Sequence, residues 1–239
     1  GSGSGAKLSV LLSAVETCKI DVHLVDISGA ALAQSLQALS RHSSVSLIPH
    51  RTTYEAGLND ALSHTKDDGR ALILFLGSNI GNLSLAEAEL FLHQVRVQCR
   101  RGDQLLLGAD LIKPEPELVL AYDDPLGVTS AFNKNFLVRL NRELDADFDL
   151  DLFSHRVLWN TQDSRIEVYL ESQVDQLVCI KGAGCCVQFT QGELIWTESS
   201  HKYKSDDIIA MGQRAGFTSR TQWIEPESKF ALTLFEAES

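Results

Sequence analysis

Three stretches hold residues whose types and spacing could do chemistry. The chain opens GSGSGAK, where Gly1, Gly3 and Gly5 form a glycine-rich loop with Lys7 close behind. Such a loop lets a ligand approach the backbone closely. Asp26 ends the run KIDVHLVD, 21 residues after Gly5. In nucleotide-binding folds an acid at about this distance accepts hydrogen bonds from the two ribose hydroxyls. The third stretch is ALILFLGSNIGNL, Ala71 to Leu83. Its apolar run stops at Gly77, and Ser78, Asn79, Gly81 and Asn82 follow at once. The amides supply donors and acceptors that do not titrate. Plainer readings stand beside these: a tight turn at Gly77, an N-cap at Asp26 or Ser28, and an engineered linker at GSGSG.

These residues need a scaffold. Lys19 to Asp26, Val45 to Ile48, Ala71 to Leu76 and Asp103 to Asp110 read as strands. The continuous apolar run Ala71 to Leu76 predicts a strand buried on both faces. Helices are expected over Leu8 to Val15, Gly29 to Ser40, Tyr54 to His64 and Leu85 to Arg96. Ser84 and Glu87 are spaced as a capping box for the last of these. Alternating strands and helices make an α/β fold with a doubly wound, five-strand parallel core. Open sheets of this kind bind ligands outside the carboxyl ends of their strands. A glycine loop normally follows a strand, and here the chain begins inside the loop, so the first strand is expected to be missing.

After Leu111 the texture changes. Pro114, Pro116 and Pro125 break up the segment from Lys113 to Thr129. A helix follows from about Ser130 to Leu144, and Asp145 to Asp151 reads as an acidic, solvated loop. Alternation then marks Arg165 to Ser172, Gln176 to Ile180, Cys185 to Phe189 and Glu193 to Ser199 as antiparallel strands. Ser205 to Ala215 reads as a helix closed by Gly216. Thr221 to Ile224 and Phe230 to Phe235 read as the last strands.

The 239 residues carry a net charge of -11 and are 44% hydrophobic. With no basic cluster beyond Arg100-Arg101, a nucleic-acid backbone would be repelled. No apolar run approaches the roughly 20 residues of a membrane span, so no membrane partner is expected. The five cysteines, Cys18, Cys99, Cys179, Cys185 and Cys186, are odd in number and lack a CxxC. They read as buried free thiols of a cytoplasmic protein, with a Cys185-Cys186 redox pair as the lesser alternative.

A glycine loop, a ribose acid and a parallel core suit either a dinucleotide or S-adenosylmethionine. The loop alone does not choose, although a late antiparallel strand pair favours the second. The combination FLGSNIGNL, LLLGADLIK, AYDDPLGVTSAFNKNFLVRLNRELDADFD, RIEVYL and GELIWTESSHKY, in this order, resembles the histidine-specific S-adenosylmethionine-dependent methyltransferases. Those enzymes make hercynine, Nα,Nα,Nα-trimethylhistidine, for ergothioneine. The resemblance covers essentially the whole chain. It implies a Rossmann-like class I methyltransferase domain, residues 1–144 and 201–239, with part of a smaller α+β substrate-binding domain at 145–200. Because the chain begins inside the glycine loop, the family's N-terminal lobe, with its tyrosine contacts to substrate, is expected to have no counterpart here.

The resemblance also implies roles. Gly1, Gly3 and Lys7 match the cofactor loop, and Asp26 the ribose acid. Thr53-Tyr54 falls where bacterial members place an Asp-Phe pair beside the adenine, so the aromatic ring is kept and the carboxylate lost. Gly77 and Asn82 match positions facing the substrate amino acid, with Gly77 also counted among the cofactor-binding residues, and Tyr122 matches a tyrosine that contacts the substrate carboxylate. Val168 stands where a methionine usually lines the side-chain pocket. Glu198 and Ser200 match the pair that holds the imidazole. Chemically, Asn82 and Tyr122 can orient a neutral amine without carrying charge. Glu198 can accept an imidazole N–H, and Ser200 can serve the other nitrogen in either direction. The implied partner is a small molecule, L-histidine, with self-association through the incomplete sheet. The alternative is a truncated homologue that keeps the fold or cofactor affinity without turnover.

Overall fold

A computed structural model describes residues 3–15, 19–64 and 69–238. Along the chain it forms α1 (Ala6–Ser13), β1 (Ile20–Val25), α2 (Gly29–Leu39), β2 (Val45–His50), α3 (Tyr54–Ser63), β3 (Leu72–Phe75), α4 (Leu85–Gln98) and β4 (Gln104–Asp110). Next come α5 (Glu115–Tyr122), α6 (Val128–Leu144), β5 (Phe153–Asn160), β6 (Arg165–Ser172), β7 (Gln176–Ile180), β8 (Cys185–Phe189) and β9 (Leu194–His201). The chain closes with α7 (Ser205–Arg214), β10 (Thr218–Glu225) and β11 (Phe230–Glu236).

The mixed α/β class is as expected, but the continuous five-strand parallel core is not what the described residues show. β1 and β2 form one parallel pair, while β3 and β4 form a second within a sheet ordered β10-β11-β4-β3. β11 runs antiparallel to both β4 and β10. β4 is central, and Leu105 to Ala109 are all buried. Among the described strands β3 has a neighbour on one side only. Its Leu72 is 53% exposed, so the expectation of burial on both faces fails for this strand. Buried Asp103 ties the two strands at their start, accepting from the Ala71 and Arg100 backbone N–H groups at 2.8 Å each.

Local chemistry explains the elements around the site. Ser84 Oγ accepts from the Glu87 N–H, and the Glu87 carboxylate accepts from the Ser84 N–H, closing the expected capping box of α4. α5 was not foreseen, because prolines read as breakers. Pro114 sits at its N-cap and Pro116 in its first turn, where no helical N–H is needed. β5 was also unassigned from sequence. Sheet β5-β6-β9 and the β7–β8 hairpin share a core with α6, built on Leu137, Phe148, Phe153, Leu170, Val178 and Phe189. The acidic loop is therefore only partly solvated. Phe148 points into this core, and Asp147 accepts from the Cys179 N–H at 2.7 Å.

The cysteine expectation needs correction. Cys179 and Cys186 stand directly opposite each other in the β7–β8 register and are joined by a disulfide. Pairing across a hairpin, rather than between chain neighbours, brings the two side chains to one face of the ribbon. Cys185 points to solvent as a free thiol, and half-buried Cys99 is free with its thiol pushed up to about 11 by burial. Cys18 lies outside the described residues. No described helix is long and apolar enough to cross a membrane.

Candidate active site

The carboxyl ends of β1 and β3 and the start of α3 form the first part of the site. A cavity of about 260 Å³ is lined by Asp26, Ile27, Thr53, Tyr54 and Glu55. Asp26 also accepts from the Ser28 N–H at 2.9 Å, so its role at the head of α2 coexists with a place in the cavity. The Tyr54 ring meets Phe75 edge-on at 5.6 Å. Burial, with Asp26 and Glu55 adding to it, pushes the Tyr54 hydroxyl above its ordinary value. Thr53 brings no carboxylate to this cavity, but Glu55, two residues on, lines it too.

α1 reaches the same edge. Gly5 begins it at φ +74°, and the Ser35 hydroxyl donates to the Gly3 carbonyl at 2.8 Å. Gly77 adopts φ +76°, and a Cβ there would lie 2.8 Å from Lys7 Nζ. Lys7 and Gly77 thus meet, although they are far apart in sequence, and Gly3 lies on the loop just before α1; Gly1 lies outside the described residues. An acid, an aromatic face, a lysine and two left-handed glycines fit a nucleoside-bearing cofactor, with backbone open to its polar tail.

The turn after β3 is stapled into place. The Asp110 N–H donates to Ser78 Oγ at 3.0 Å, and the Tyr203 hydroxyl donates to the Ile80 carbonyl at 3.1 Å. A Cβ on Gly81 would sit 2.8 Å from the His201 carbonyl oxygen. Asn82 ends this turn and is exposed.

The second part of the site is α5, which lies over β5 and β6 and reaches β9 through Tyr122 at its end. Leu118, Ile166 and Val168 form its buried contact, with Tyr122 packed against them. In the β6–β9 register Val168 stands opposite Glu198 and Ile166 opposite Ser200, so all four share one face. The end of α5 is pinned. Asn133 donates to His155 Nδ1 at 3.0 Å, which leaves Nε2 to donate to the Tyr122 carbonyl at 2.8 Å. The Tyr122 hydroxyl donates to Ser200 Oγ at 2.8 Å.

Glu198 is half-buried, and its carboxylate makes no hydrogen bond or ion pair with any described residue. Burial pushes its carboxyl above the ordinary value, while the charge of Lys202 pulls the other way. Lys202 is buried and holds Tyr122 Oη and Ser200 Oγ at 2.9 Å each and Asp110 Oδ2 at 3.2 Å. Asp110 ends β4 and also binds Lys113 at 2.8 Å.

Tyr122, Val168, Glu198 and Ser200 therefore form one cluster, and Asp26, Tyr54, Lys7 and Gly77 another. Ser78, Asp110 and Lys202 link the two, with Asn82 on the same stapled turn. Sequence reasoning missed Asp110, Lys202 and His155. The signals were present: Asp110 is the acid that ends a buried strand, and Lys202 continues the alternation Glu198, Ser200 on one face.

Comparison with known proteins adds the following. The family model described as histidine-specific methyltransferase, SAM-dependent, matches residues 1–237. The histidine N-alpha-methyltransferase of Mycolicibacterium smegmatis is 36% identical over 237 residues, 98% of this chain and 73% of that protein. Ergothioneine biosynthesis protein 1 of Schizosaccharomyces pombe is 26% identical over 91% of this chain and 29% of its own length. Among solved structures, the CcbJ methyltransferase of Streptomyces caelestis aligns with all of this chain and 82% of its own at TM-score 0.50 and 10% identity.

Proposed function

We propose that this chain, which belongs to the family of histidine-specific, S-adenosylmethionine-dependent methyltransferases, transfers methyl groups to the α-amino nitrogen of histidine, as in hercynine formation for ergothioneine. The single observation that carries the substrate reading is Glu198, a half-buried carboxylate without a hydrogen-bond partner among the described residues, two residues from Ser200 on the same strand face. A desolvated acceptor of that kind is stabilised by a ligand N–H.

S-adenosylmethionine supplies the methyl group when bound. Asp26 accepts from its ribose, Tyr54 packs beside its adenine, and Gly3, Lys7 and Gly77 face its amino-acid tail. Asn82 donates to the histidine carboxylate, and Tyr122, whose own hydrogen goes to Ser200, accepts from the neutral amine. Glu198 and Ser200 hold the ring, with Val168 as the apolar wall. None of these contacts places a fixed charge on the amine, which must be neutral to act as a nucleophile. Methyl transfer is an in-line displacement, so orientation contributes much of the rate.

Binding tests this reading. Calorimetry with S-adenosylhomocysteine, followed by histidine, should show two saturable events. Asp26→Ala should weaken S-adenosylhomocysteine about ten- to a hundredfold, since hydrogen bonds to a charged acceptor contribute roughly 1.5–3 kcal/mol. Unchanged affinity in the folded variant would remove Asp26 from the ribose.

The division at residues 144/145 and 200/201 is part of this proposal; α6 lies before the first boundary, yet packs Leu137 into the β5–β9 core. A second reading, a fold that binds the cofactor without turnover, is favoured by one observation: β1 and β3 are not hydrogen-bonded to each other. Each keeps one edge unpaired among the described strands, and open edges template association. The chain alone is expected to sediment as oligomers or aggregates. A single monomeric boundary in analytical ultracentrifugation would contradict this.

A further inference from the structure

The Tyr122, Ser200 and Lys202 triangle fixes the direction of every hydrogen bond in it. The Lys202 side chain is 1% exposed, and its ammonium is a donor only. Both hydroxyl oxygens at 2.9 Å from it must therefore accept. Of the two hydroxyls the phenol is the stronger donor and the alcohol the stronger acceptor, so Tyr122 gives its hydrogen to Ser200 at 2.8 Å. Ser200 Oγ then accepts twice, from Lys202 and from Tyr122, which fills both of its lone pairs. Its own hydrogen is what remains, and Ser200 is buried, so it can face a ligand only as a donor. Two residues earlier, Glu198 in its ionised form can only accept. The two ends of the ring pocket thus have opposite, fixed polarity.

We propose that Lys202 is a specificity-determining residue: by filling the acceptor sites of Ser200 together with Tyr122, it makes the pocket select a ring carrying one N–H and one bare nitrogen. The inference rests on the reading of Glu198 and Ser200 as the ring-holding pair. It replaces the sequence-level expectation that the Ser200 hydroxyl adapts in either direction. A neutral imidazole satisfies both ends. An indole offers an N–H and no bare nitrogen, so the Ser200 hydrogen is left without an acceptor. An imidazolium offers two N–H groups, one of which would confront that hydrogen. Asp110 serves this arrangement from behind, as the counter-charge that keeps the ammonium in place.

The test compares dissociation constants for histidine and tryptophan, measured calorimetrically on the whole chain with S-adenosylhomocysteine present. In Lys202→Met the preference for histidine over tryptophan should fall at least tenfold, because Tyr122 Oη, freed from the ammonium, can then accept the Ser200 hydrogen that an indole leaves unused. Ser200→Ala should lower the same ratio, and combining the two should lower it no further. A residue that merely supports the fold would weaken both ligands alike. An unchanged ratio in Lys202→Met, or losses in the ratio that multiply in the double variant, would overturn the proposal. If Lys202→Met does not fold, ring-15N spectra of histidine bound to the unaltered protein decide. One protonated and one bare nitrogen is expected, and two protonated nitrogens overturn it. The underlying reading fails separately: if Glu198→Ala leaves histidine affinity unchanged, the ring is not in this pocket at all, and the proposal falls with it.

Discussion

Glu198→Ala is expected to lower kcat/KM for histidine by about a hundredfold or more, and to change tryptophan less than about threefold. A site built to pair a ligand N–H discriminates strongly when that pairing is lost. The Glu198 carboxylate stands opposite Val168, is half-buried, and finds no partner within the described protein. Its carboxyl lies above the ordinary value because burial penalises the charged form. Removing it takes the acceptor from histidine. For tryptophan the lost N–H contact is offset by relief from burying a charge, and the short Val168 side chain leaves room for the larger ring. Equal losses for the two amino acids would remove Glu198 from the pocket, since a structural glutamate is indifferent to the ring.

Gly81→Ala should lower kcat by about a hundredfold while leaving S-adenosylhomocysteine affinity within about threefold; a displacement near 1 Å in a positioned site has a cost of that order. The new Cβ would lie 2.8 Å from the His201 carbonyl oxygen, which is backbone and cannot rotate away. The turn carrying Asn82 and the strand end carrying Ser200 and Lys202 must then separate. The Asp26 cavity lies at a different strand end and is not touched. Wild-type turnover in Gly81→Ala would show that the turn and β9 need not be in register for catalysis.

Three strands were legible to the residue from the alternation of their sequence. Arg165–Ser172, Gln176–Ile180 and Cys185–Phe189 have the bounds their alternation implies. So was α4, whose capping box is a purely local signal. α5 was hidden because a proline excludes a helix interior but suits a helix start. The two separate parallel pairs were hidden because strand patterns carry no record of which neighbour each strand finds. The same limit applies to the cysteines: the Cys179–Cys186 pairing depends on hairpin register, not on composition.

The site divides in the same way. Asp26, Gly77 and Asn82 were legible because turn chemistry sits beside each of them in sequence. Tyr122 and Ser200 are far apart in the chain, and their 2.8 Å contact follows from how α5 lies over β5 and β6 and reaches β9 at its end. Lys202 was overlooked because a lysine at a strand end ordinarily reaches solvent. Here Asp110 and two hydroxyls give its ammonium enough partners to remain buried.

The central claim, methylation of the histidine α-amine, is tested most directly by mass spectrometry of histidine incubated with this chain and S-adenosylmethionine, with fragmentation to locate the methyl groups. The account predicts Nα-methylated histidine accumulating to the trimethyl form, with formation abolished or strongly reduced by Glu198→Ala. Histidine recovered unmodified, although both it and S-adenosylhomocysteine bind, or methyl groups found on a ring nitrogen, would contradict it.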